Sequence, residues 1–197
     1  MSEVPSIREQ ILAAAVEAAT VHGLSKLSMG DVAKQAKLSR QTLYRHFPNK
    51  DALIAEVVLA ETDALITRVV AAGRVHEDPG DALAAGLLTA LHAAREHPLL
   101  DRLIRTEPEA LLPLLITDGG PVMARVRSVV ESILADRLPG LEALPLRRFA
   151  DVVTRLLISY AVSAPDDPPE EVARYVATFL THGAASQSVA TSHRTQR

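Results

Sequence analysis

The chain has no cysteine and no tryptophan, and only 3% of its 197 residues are aromatic. The absence of cysteine excludes disulfides, thiolate metal sites and cysteine nucleophiles, and it fits a reducing compartment. The first five residues, Met1 to Pro5, lack the basic start and apolar run of a signal peptide. No stretch approaches the ~20 consecutive apolar residues that cross a bilayer. We therefore expect a cytoplasmic protein with no membrane segment.

Aromatic residues are missing altogether from residues 48–148. Two of the six, Tyr44 and Phe47, precede this span, and the other four follow it from Phe149 onward. A core built by the middle of the chain must therefore consist of aliphatic side chains and methionine.

Positive charge is concentrated near the start of the chain, although the net charge is -3. Residues 1–50 carry seven basic and four acidic side chains, a balance of +3, and they include all four lysines. The remaining residues sum to -6. A short basic segment on an acidic body is typical of a protein that binds a polyanion at one end. A solvated basic face is the alternative at this point.

Apolar residues recur at helical spacing along the whole chain, and no segment alternates with the period of two that marks strands. The sequence therefore predicts an all-α fold, in which three N-terminal helices precede a larger helical part. Ser28 and Ser39 are expected N-caps, and Gly23 is expected to end the first helix. The predicted helices span residues 5–22, 28–36, 39–46, 50–72, 81–96, 98–106, 108–116, 121–137, 145–163 and 169–183, followed by a mobile polar tail at 186–197.

The second and third helices have the pattern of a helix-turn-helix: both are short and are joined by a few residues. Their apolar positions are Val32, Ala33, Ala36, Leu38, Leu43 and Phe47. The opposite face of the third helix carries Arg40, Gln41, Tyr44 and Arg45. Arginine pairs with guanine and glutamine with adenine in the major groove, whereas tyrosine and lysine hold phosphates. A helical hairpin with solvated polar residues would show the same spacing.

The following motif resolves this alternative. Residues 28–53 resemble the DNA-binding signature of the tetracycline-repressor (TetR) family of bacterial transcriptional regulators. The resemblance is carried most specifically by Thr42-Leu43-Tyr44, His46-Phe47, Asn49-Lys50 and Leu53. It implies a homodimer, usually a repressor, that leaves DNA when a small effector binds its C-terminal domain. Accordingly, residues 1–47 are expected to bind DNA, and residues 48–197 to bind the effector and dimerise.

The resemblance and the charge pattern together give the expected DNA contacts. They are Lys26, Ser39, Arg40, Gln41, Thr42, Tyr44, Arg45, His46 and Lys50. Three positions depart from the family's usual pattern. Lys37 stands where glycine is common, which predicts a strained turn costing ~1 kcal/mol. Gln41 replaces a small residue or proline, and Gly30 lacks a side chain that some relatives use on DNA.

The middle helices are expected to hold an aliphatic effector, since they offer apolar surface without an aromatic ring for stacking. The expected ligand-binding residues are Leu87, Leu91, Leu103, Arg105, Leu111, Leu115 and Met123. Arg105 would anchor an acidic ligand group, or else pair with Glu107 or Glu109 at the surface. A solid leucine core without a cavity is the alternative. The long helix from Lys50 to Ala72 would relay the effector's presence to DNA.

The last two helices are expected to form the dimer interface, because four of the six aromatics collect there. The expected interface residues are Phe149, Val153, Leu156, Tyr160, Tyr175, Val176 and Phe179. Alternatively, these stripes pack inside one subunit.

Other chemistry finds little support in the sequence. No nucleophile, base and orienting acid can be assembled, and His92 and His97 lack the spacing of two metal ligands on one helical face. We expect no cofactor, no metal and no catalytic residue. The rival functions are a regulator or architectural DNA binder without a small-molecule ligand and, less favoured, an enzyme.

Overall fold

A computed structural model describes residues 5–116, 120–137, 142–163 and 166–194. Within those ranges every regular element is an α-helix. The helices are α1 (Ile7–His22), α2 (Met29–Gln35), α3 (Arg40–His46), α4 (Lys50–Arg74), α5 (Pro79–Glu96), α6 (Pro98–Thr106), α7 (Pro108–Ile116), α8 (Pro121–Arg137), α9 (Ala143–Val162) and α10 (Pro169–Arg194).

The helical fold class predicted from the sequence is confirmed, and most helix bounds differ from the prediction by two residues or fewer. The exception is α10, which was expected to end at 183 and instead continues to Arg194. The predicted end of the last helix is therefore wrong, whereas the expected mobility of residues 186–197 stays a prediction. After Gly183 the sequence has no proline and no further glycine to end a helix. Residues 195–197 lie outside the described ranges.

Serine side chains begin the first three helices. The hydroxyls of Ser28 and Ser39 accept hydrogen bonds from backbone N–H groups three residues later, as predicted. In α1, Ser6 and Glu9 form a reciprocal capping box that the sequence analysis overlooked. The hydrogen bond that the Glu9 carboxylate accepts from the Ser6 backbone N–H lowers the pKa of Glu9, and the nearby Ser6 hydroxyl contributes less to the same shift.

The turn between α2 and α3 contains the strained residue that the sequence predicted. Lys37 adopts a φ of 56°, which is the left-handed conformation that glycine accepts at lowest cost. The N–H of Leu38 then bonds to the carbonyl of Ala33 and closes the end of α2.

The helices pack into two compact units. Unit 1 comprises Met1–Asp63 and His97–Val122, and unit 2 comprises Ala64–Glu96 and Met123–Arg197. The α6–α7 hairpin therefore packs with the first three helices, with α6 against α1. This grouping differs from the predicted functional division at 47/48, which remains a prediction about roles.

Each unit has its own apolar core. In unit 1, α3 is anchored by Leu43, which is fully buried together with Ile11 and Leu53. In unit 2, α5 packs along α10 and against α9. The unit 2 core includes Leu87, Leu91, Val130, Leu134, Ala150, Val153, Val172, Ala173, Val176, Ala177 and Leu180.

Candidate nucleic-acid interface and effector cavity

The α3 helix of unit 1 turns its polar face to solvent. Leu43 is completely buried, whereas Arg40, Gln41 and Arg45 are exposed and Tyr44 is 49% exposed. One buried anchor thus leaves four adjacent hydrogen-bonding side chains free of the core. These are residue types that read base edges or hold phosphates.

The first turn of α3 is held by its own cap. The Ser39 hydroxyl accepts from the Thr42 N–H at 3.0 Å and lies 2.9 Å from the Thr42 hydroxyl. Both hydroxyls remain close to the start of α3, where the helix dipole favours an anion such as a phosphate. His46 is half-buried at the other end of this helix, and Lys26 is exposed before α2.

Gly30 in α2 determines the space available to Arg40. A Cβ atom at position 30 would lie 2.5 Å from Nη2 of Arg40 and 3.0 Å from its Cζ. The guanidinium of Arg40 therefore lies against the backbone of α2, in room that only glycine leaves. From the sequence, Gly30 was expected only to remove a side chain that some relatives use on DNA, and its packing with Arg40 was not predicted.

The turn between α1 and α2 is held by two groups from distant parts of the chain. Nζ of Lys50, at the start of α4, donates to the Ser25 carbonyl at 2.6 Å. The Ser25 N–H donates to Oε2 of Glu107 at 2.8 Å. We call this arrangement of Glu107, the Ser25 backbone and Lys50 the Ser25 clamp. Lys50 was predicted to contact DNA, but Glu107 was considered only as a partner for Arg105.

Helix α1 also contacts the end of the helix-turn-helix through Arg8. The Arg8 guanidinium lies over the Phe47 ring, 5.0 Å from its centre, and forms an ion pair with Glu56 at 2.7 Å. Such contacts favour one position of α3 relative to α1.

Unit 2 contains a cavity of about 810 Å³. Its walls come from α4, α5, α8, α9 and α10, and aliphatic side chains predominate. They include Val69, Val70, Leu83, Leu87, Val129, Val130, Ile133, Leu134, Val153 and Leu157. Phe149 is the aromatic ring among the described lining residues, and it comes from just beyond the aromatic-free span. Such a cavity is within the size range of small-molecule sites.

Charged groups lie along part of the cavity. Arg74, Asp78, Arg125, Asp136 and Arg137 contribute to its lining. The Arg137 guanidinium donates to the carbonyls of Gly73 and His76, so it satisfies the end of α4.

The structure brings together only part of the predicted ligand set. Leu87 lines the cavity, and Leu91 lies in the same core. Met123 is buried but is not among the described lining residues. The buried residues Leu103, Leu111 and Leu115 belong to unit 1, because the α6–α7 hairpin packs there. Arg105 is exposed and pairs with Asp101 at 2.8 Å instead of Glu107 or Glu109.

The predicted dimer residues lie in two different environments: some are exposed, and others are buried in the core of unit 2 or packed against it. Tyr175 and Phe179 of α10 are 73% and 69% exposed. Val153 and Val176 are buried in the core of their own unit, with the partly buried Phe149, Leu156 and Tyr160 packed against that core. The spacing correctly identified apolar residues but could not separate the inner face of α10 from its outer face. Val152, 49% exposed on α9, was overlooked.

These features define a helix-turn-helix DNA-binding protein with an additional all-helical domain. Comparison with known families agrees. The model described as "Bacterial regulatory proteins, tetR family" matches residues 11–57. The model described as "Bacterial Tetracyclin repressor, C-terminal domain" matches residues 78–182. The chain belongs to the TetR family of bacterial transcriptional regulators.

Individual relatives extend this result over most of the chain. The HTH-type transcriptional regulator AlkX of Mycobacterium tuberculosis is 26% identical over 182 residues, covering 89% of this chain and 83% of that protein. The crystal structure of the TetR family repressor AlkX from Dietzia sp. strain DQ12-45-1b, "implicated in biodegradation of n-alkanes", has a TM-score of 0.70 at 28% identity and covers 90% of this chain and 96% of that one. A TetR-family regulator from Streptomyces coelicolor shares the fold, with a TM-score of 0.65 at 18% identity and coverage of 96% and 84%. Among the described helices none is long and apolar enough to cross a membrane.

Proposed function

We propose that this regulator is a cytoplasmic homodimeric repressor that binds a pseudo-palindromic operator through α3 and leaves it when an aliphatic effector occupies the unit 2 cavity. The exposed face of α3 is the observation that supports DNA binding. Leu43 anchors the helix in the core, and the exposed residues are Arg40, Gln41, Tyr44 and Arg45. The basic segment around it supplies charge for phosphates: residues 25–50 hold six basic side chains and one acidic side chain.

The proposed roles divide the α3 region into base contacts and backbone contacts. Arg40, Gln41 and Tyr44 would enter the major groove. Around them, Lys26, Thr42, His46 and Lys50 would contact phosphates. Two copies of α3 in a dimer would then read half-sites one helical turn apart, ~34 Å, or a small multiple of that distance.

The proposed dimer forms through the outer faces of α9 and α10. Tyr175, Phe179 and Val152 are large apolar side chains left exposed there. Aromatic residues contribute strongly to protein interfaces, and two helices from each subunit related by a two-fold axis form a four-helix arrangement. A second copy of this chain is therefore the proposed occupant of this face.

The effector part is supported by the cavity and by one relative. An aliphatic lining favours a hydrocarbon-bearing ligand, because apolar burial is the main interaction that such walls offer. The Dietzia AlkX, similar along most of the chain, is implicated in n-alkane biodegradation. We propose that α4, continuous from Lys50 to Arg74, transmits the change. Four of its residues, Val69, Val70, Gly73 and Arg74, line the cavity, and Lys50 holds the Ser25 turn.

Two experiments in sequence test the proposal. Selection from a random duplex library with the purified protein should recover a two-fold symmetric sequence, which we call the selected operator. The protein bound to this duplex is then titrated with n-hexadecane, hexadecanoate and, as the aromatic comparison, naphthalene-2-carboxylate. Release by n-hexadecane or hexadecanoate, without release by naphthalene-2-carboxylate, supports an aliphatic effector. Recovery of no symmetric sequence contradicts operator binding, and release by the aromatic compound alone contradicts the aliphatic assignment.

A further inference from the structure

Glu107, between α6 and α7, is a buried acidic side chain that lies far in sequence from the residues that would touch DNA. It is 7% exposed, and it caps the end of α6, where its N–H bonds to the Leu103 carbonyl at 2.9 Å. Its carboxylate accepts from the Ser25 N–H at 2.8 Å, across 82 positions of sequence. Burying a carboxylate is costly unless hydrogen bonds compensate, so this contact favours one geometry.

The end of α1 is shaped to receive this carboxylate. Gly23 ends α1 with a φ of 88°, and a Cβ built on it would overlap Oε1 of Glu107. Glycine is therefore required at this position for two reasons: the backbone conformation, and the space that Glu107 occupies. A side chain from the second half of unit 1 is thus fitted into the connection between the first two helices.

Ser25 also forms a second hydrogen bond, through its carbonyl group. The Ser25 carbonyl accepts from Nζ of Lys50 at 2.6 Å. Lys26, the next residue, is exposed and belongs to the proposed phosphate contacts. The Ser25 clamp therefore fixes the segment that presents Lys26, while it orients Lys50 through a charge-assisted hydrogen bond.

Chain connectivity links this clamp to the cavity walls. The α6–α7 hairpin that carries Glu107 lies between α5 and α8 in sequence, and residues of both helices line the cavity. The match to the family's C-terminal domain, residues 78–182, includes Glu107. Nevertheless Glu107 packs in unit 1 and bonds to a residue of the N-terminal match, residues 11–57.

We infer that Glu107 is a positioning residue for DNA binding: its carboxylate holds the Ser25 turn so that Lys26 and Lys50 face phosphates. This inference rests on the proposed DNA-binding function. It adds a residue of the C-terminal family match to those that hold the DNA-binding helices in place.

Two substitutions of similar size separate the hydrogen bond from packing. Glu107→Gln retains an oxygen that accepts from the Ser25 N–H, whereas Glu107→Met fills the space without an acceptor of comparable strength. Glu109→Gln changes an exposed acid on the same hairpin and is the matched control. Each full-length variant is titrated with the selected operator at several salt concentrations, and amide hydrogen exchange at Ser25 is followed without DNA.

We expect Glu107→Met to bind the selected operator roughly 10-fold more weakly, because hydrogen bonds to charged groups contribute on that scale. Its salt dependence should fall by about one phosphate contact, and Ser25 exchange should accelerate roughly 10-fold. The Gln variant and the Glu109 control should match the wild type.

The inference is overturned if Glu107→Met keeps wild-type affinity and salt dependence, or if Glu107→Gln loses as much as Glu107→Met. Hydrogen exchange is measured on the free protein, so it reports the clamp even if the wild type binds no selected DNA. Unchanged Ser25 exchange in a folded Glu107→Met variant would also overturn it. Failure of the wild type to select DNA would instead contradict the proposed function.

Discussion

The α3 helix in unit 1 carries its functional side chains outward from one buried leucine, whereas the cavity in unit 2 is lined mainly by aliphatic residues from several helices. The first site is local: seven residues, their cap and one turn determine which side chains face solvent. The second site depends on how helices distant in sequence pack together. Substitutions in α3 should therefore change DNA recognition without altering the cavity, and substitutions in the cavity should change the response to effector without altering basal DNA binding.

The largest expected effect comes from separating the two copies of α3. Phe179→Asp places a charge on the exposed apolar face of α10 and should give a monomer by sedimentation. Operator affinity should then fall by ~100-fold or more, because one half-site no longer assists the other. Val75→Asp, at a position 79% exposed outside this face, is the control and should remain dimeric. A dimeric Phe179→Asp variant would contradict the proposed interface.

Filling the cavity should remove the effector response while preserving DNA binding. Leu87→Trp enlarges a buried lining residue and should abolish release by hexadecanoate, with an overpacking cost of ~1–3 kcal/mol in stability. Leu88→Trp, at a neighbouring partly buried residue outside the described lining, is the matched control. An unchanged response in Leu87→Trp would place the effector elsewhere.

A smaller effect is expected from the packing of Arg40 on α2. Gly30→Ala should displace the guanidinium and weaken binding to the selected operator several-fold, within the ~1–3 kcal/mol of one bidentate base contact. The same change should leave random DNA binding unaltered and raise thermal stability, because alanine favours helix over glycine. In an Arg40→Ala background the additional loss should vanish. Equal losses in both backgrounds would disprove the coupling.

The strained turn offers a test that concerns stability alone. Lys37→Gly should stabilise the protein by ~1 kcal/mol, since glycine accepts a φ of 56° more readily than lysine. Lys34→Gly, inside α2, should destabilise it by ~1 kcal/mol. Urea denaturation of both variants measures this opposite pair of shifts, and destabilisation by both would contradict the described turn.

The smallest effect concerns pH. The pKa of Glu9 is lowered by the Ser6 backbone N–H and then by its hydroxyl, so the capping box stabilises α1 above the unfolded-state pKa and loses this contribution as pH falls through the folded-state value. Glu9→Gln should therefore lower the thermal midpoint at pH 7, and this difference from the wild type should shrink on acidification. Glu17→Gln on the same helix is the control. A difference that does not depend on pH would contradict the contribution of the carboxylate.

The two sites also differ in how well the sequence predicted them, because the α3 site is local and the cavity is not. Spacing within about twenty residues, together with the family resemblance, was sufficient to predict α2, α3 and their caps. The family resemblance also predicted the positive φ at Lys37, where glycine is common. The exposed positions on α3 follow from Leu43 alone, because helical periodicity assigns the opposite face once the anchor is known.

The cavity could be predicted only in character. An amphipathic stripe shows that a face is buried but not against which helix, so Leu103, Leu111 and Leu115 were grouped with Leu87 although they pack in the other unit. Phe149 was assigned to an interface for the same reason. The packing of Glu107 against Gly23 gave no local signal, because the two residues are distant in sequence and meet only where two connections approach closely. From the sequence alone, Gly23 was predicted only to end α1.

The central claim is that the exposed face of α3 reads bases while the surrounding lysines hold the backbone. Titrating Arg40→Ala and Lys26→Ala with the selected operator and with random duplex across a range of salt tests it most directly. We expect Arg40→Ala to lose ~1–3 kcal/mol of binding free energy on the operator and much less on random DNA. We expect Lys26→Ala to weaken binding to both duplexes alike and to lower the salt slope by about one. Equal losses on operator and random DNA for Arg40→Ala would contradict the claim.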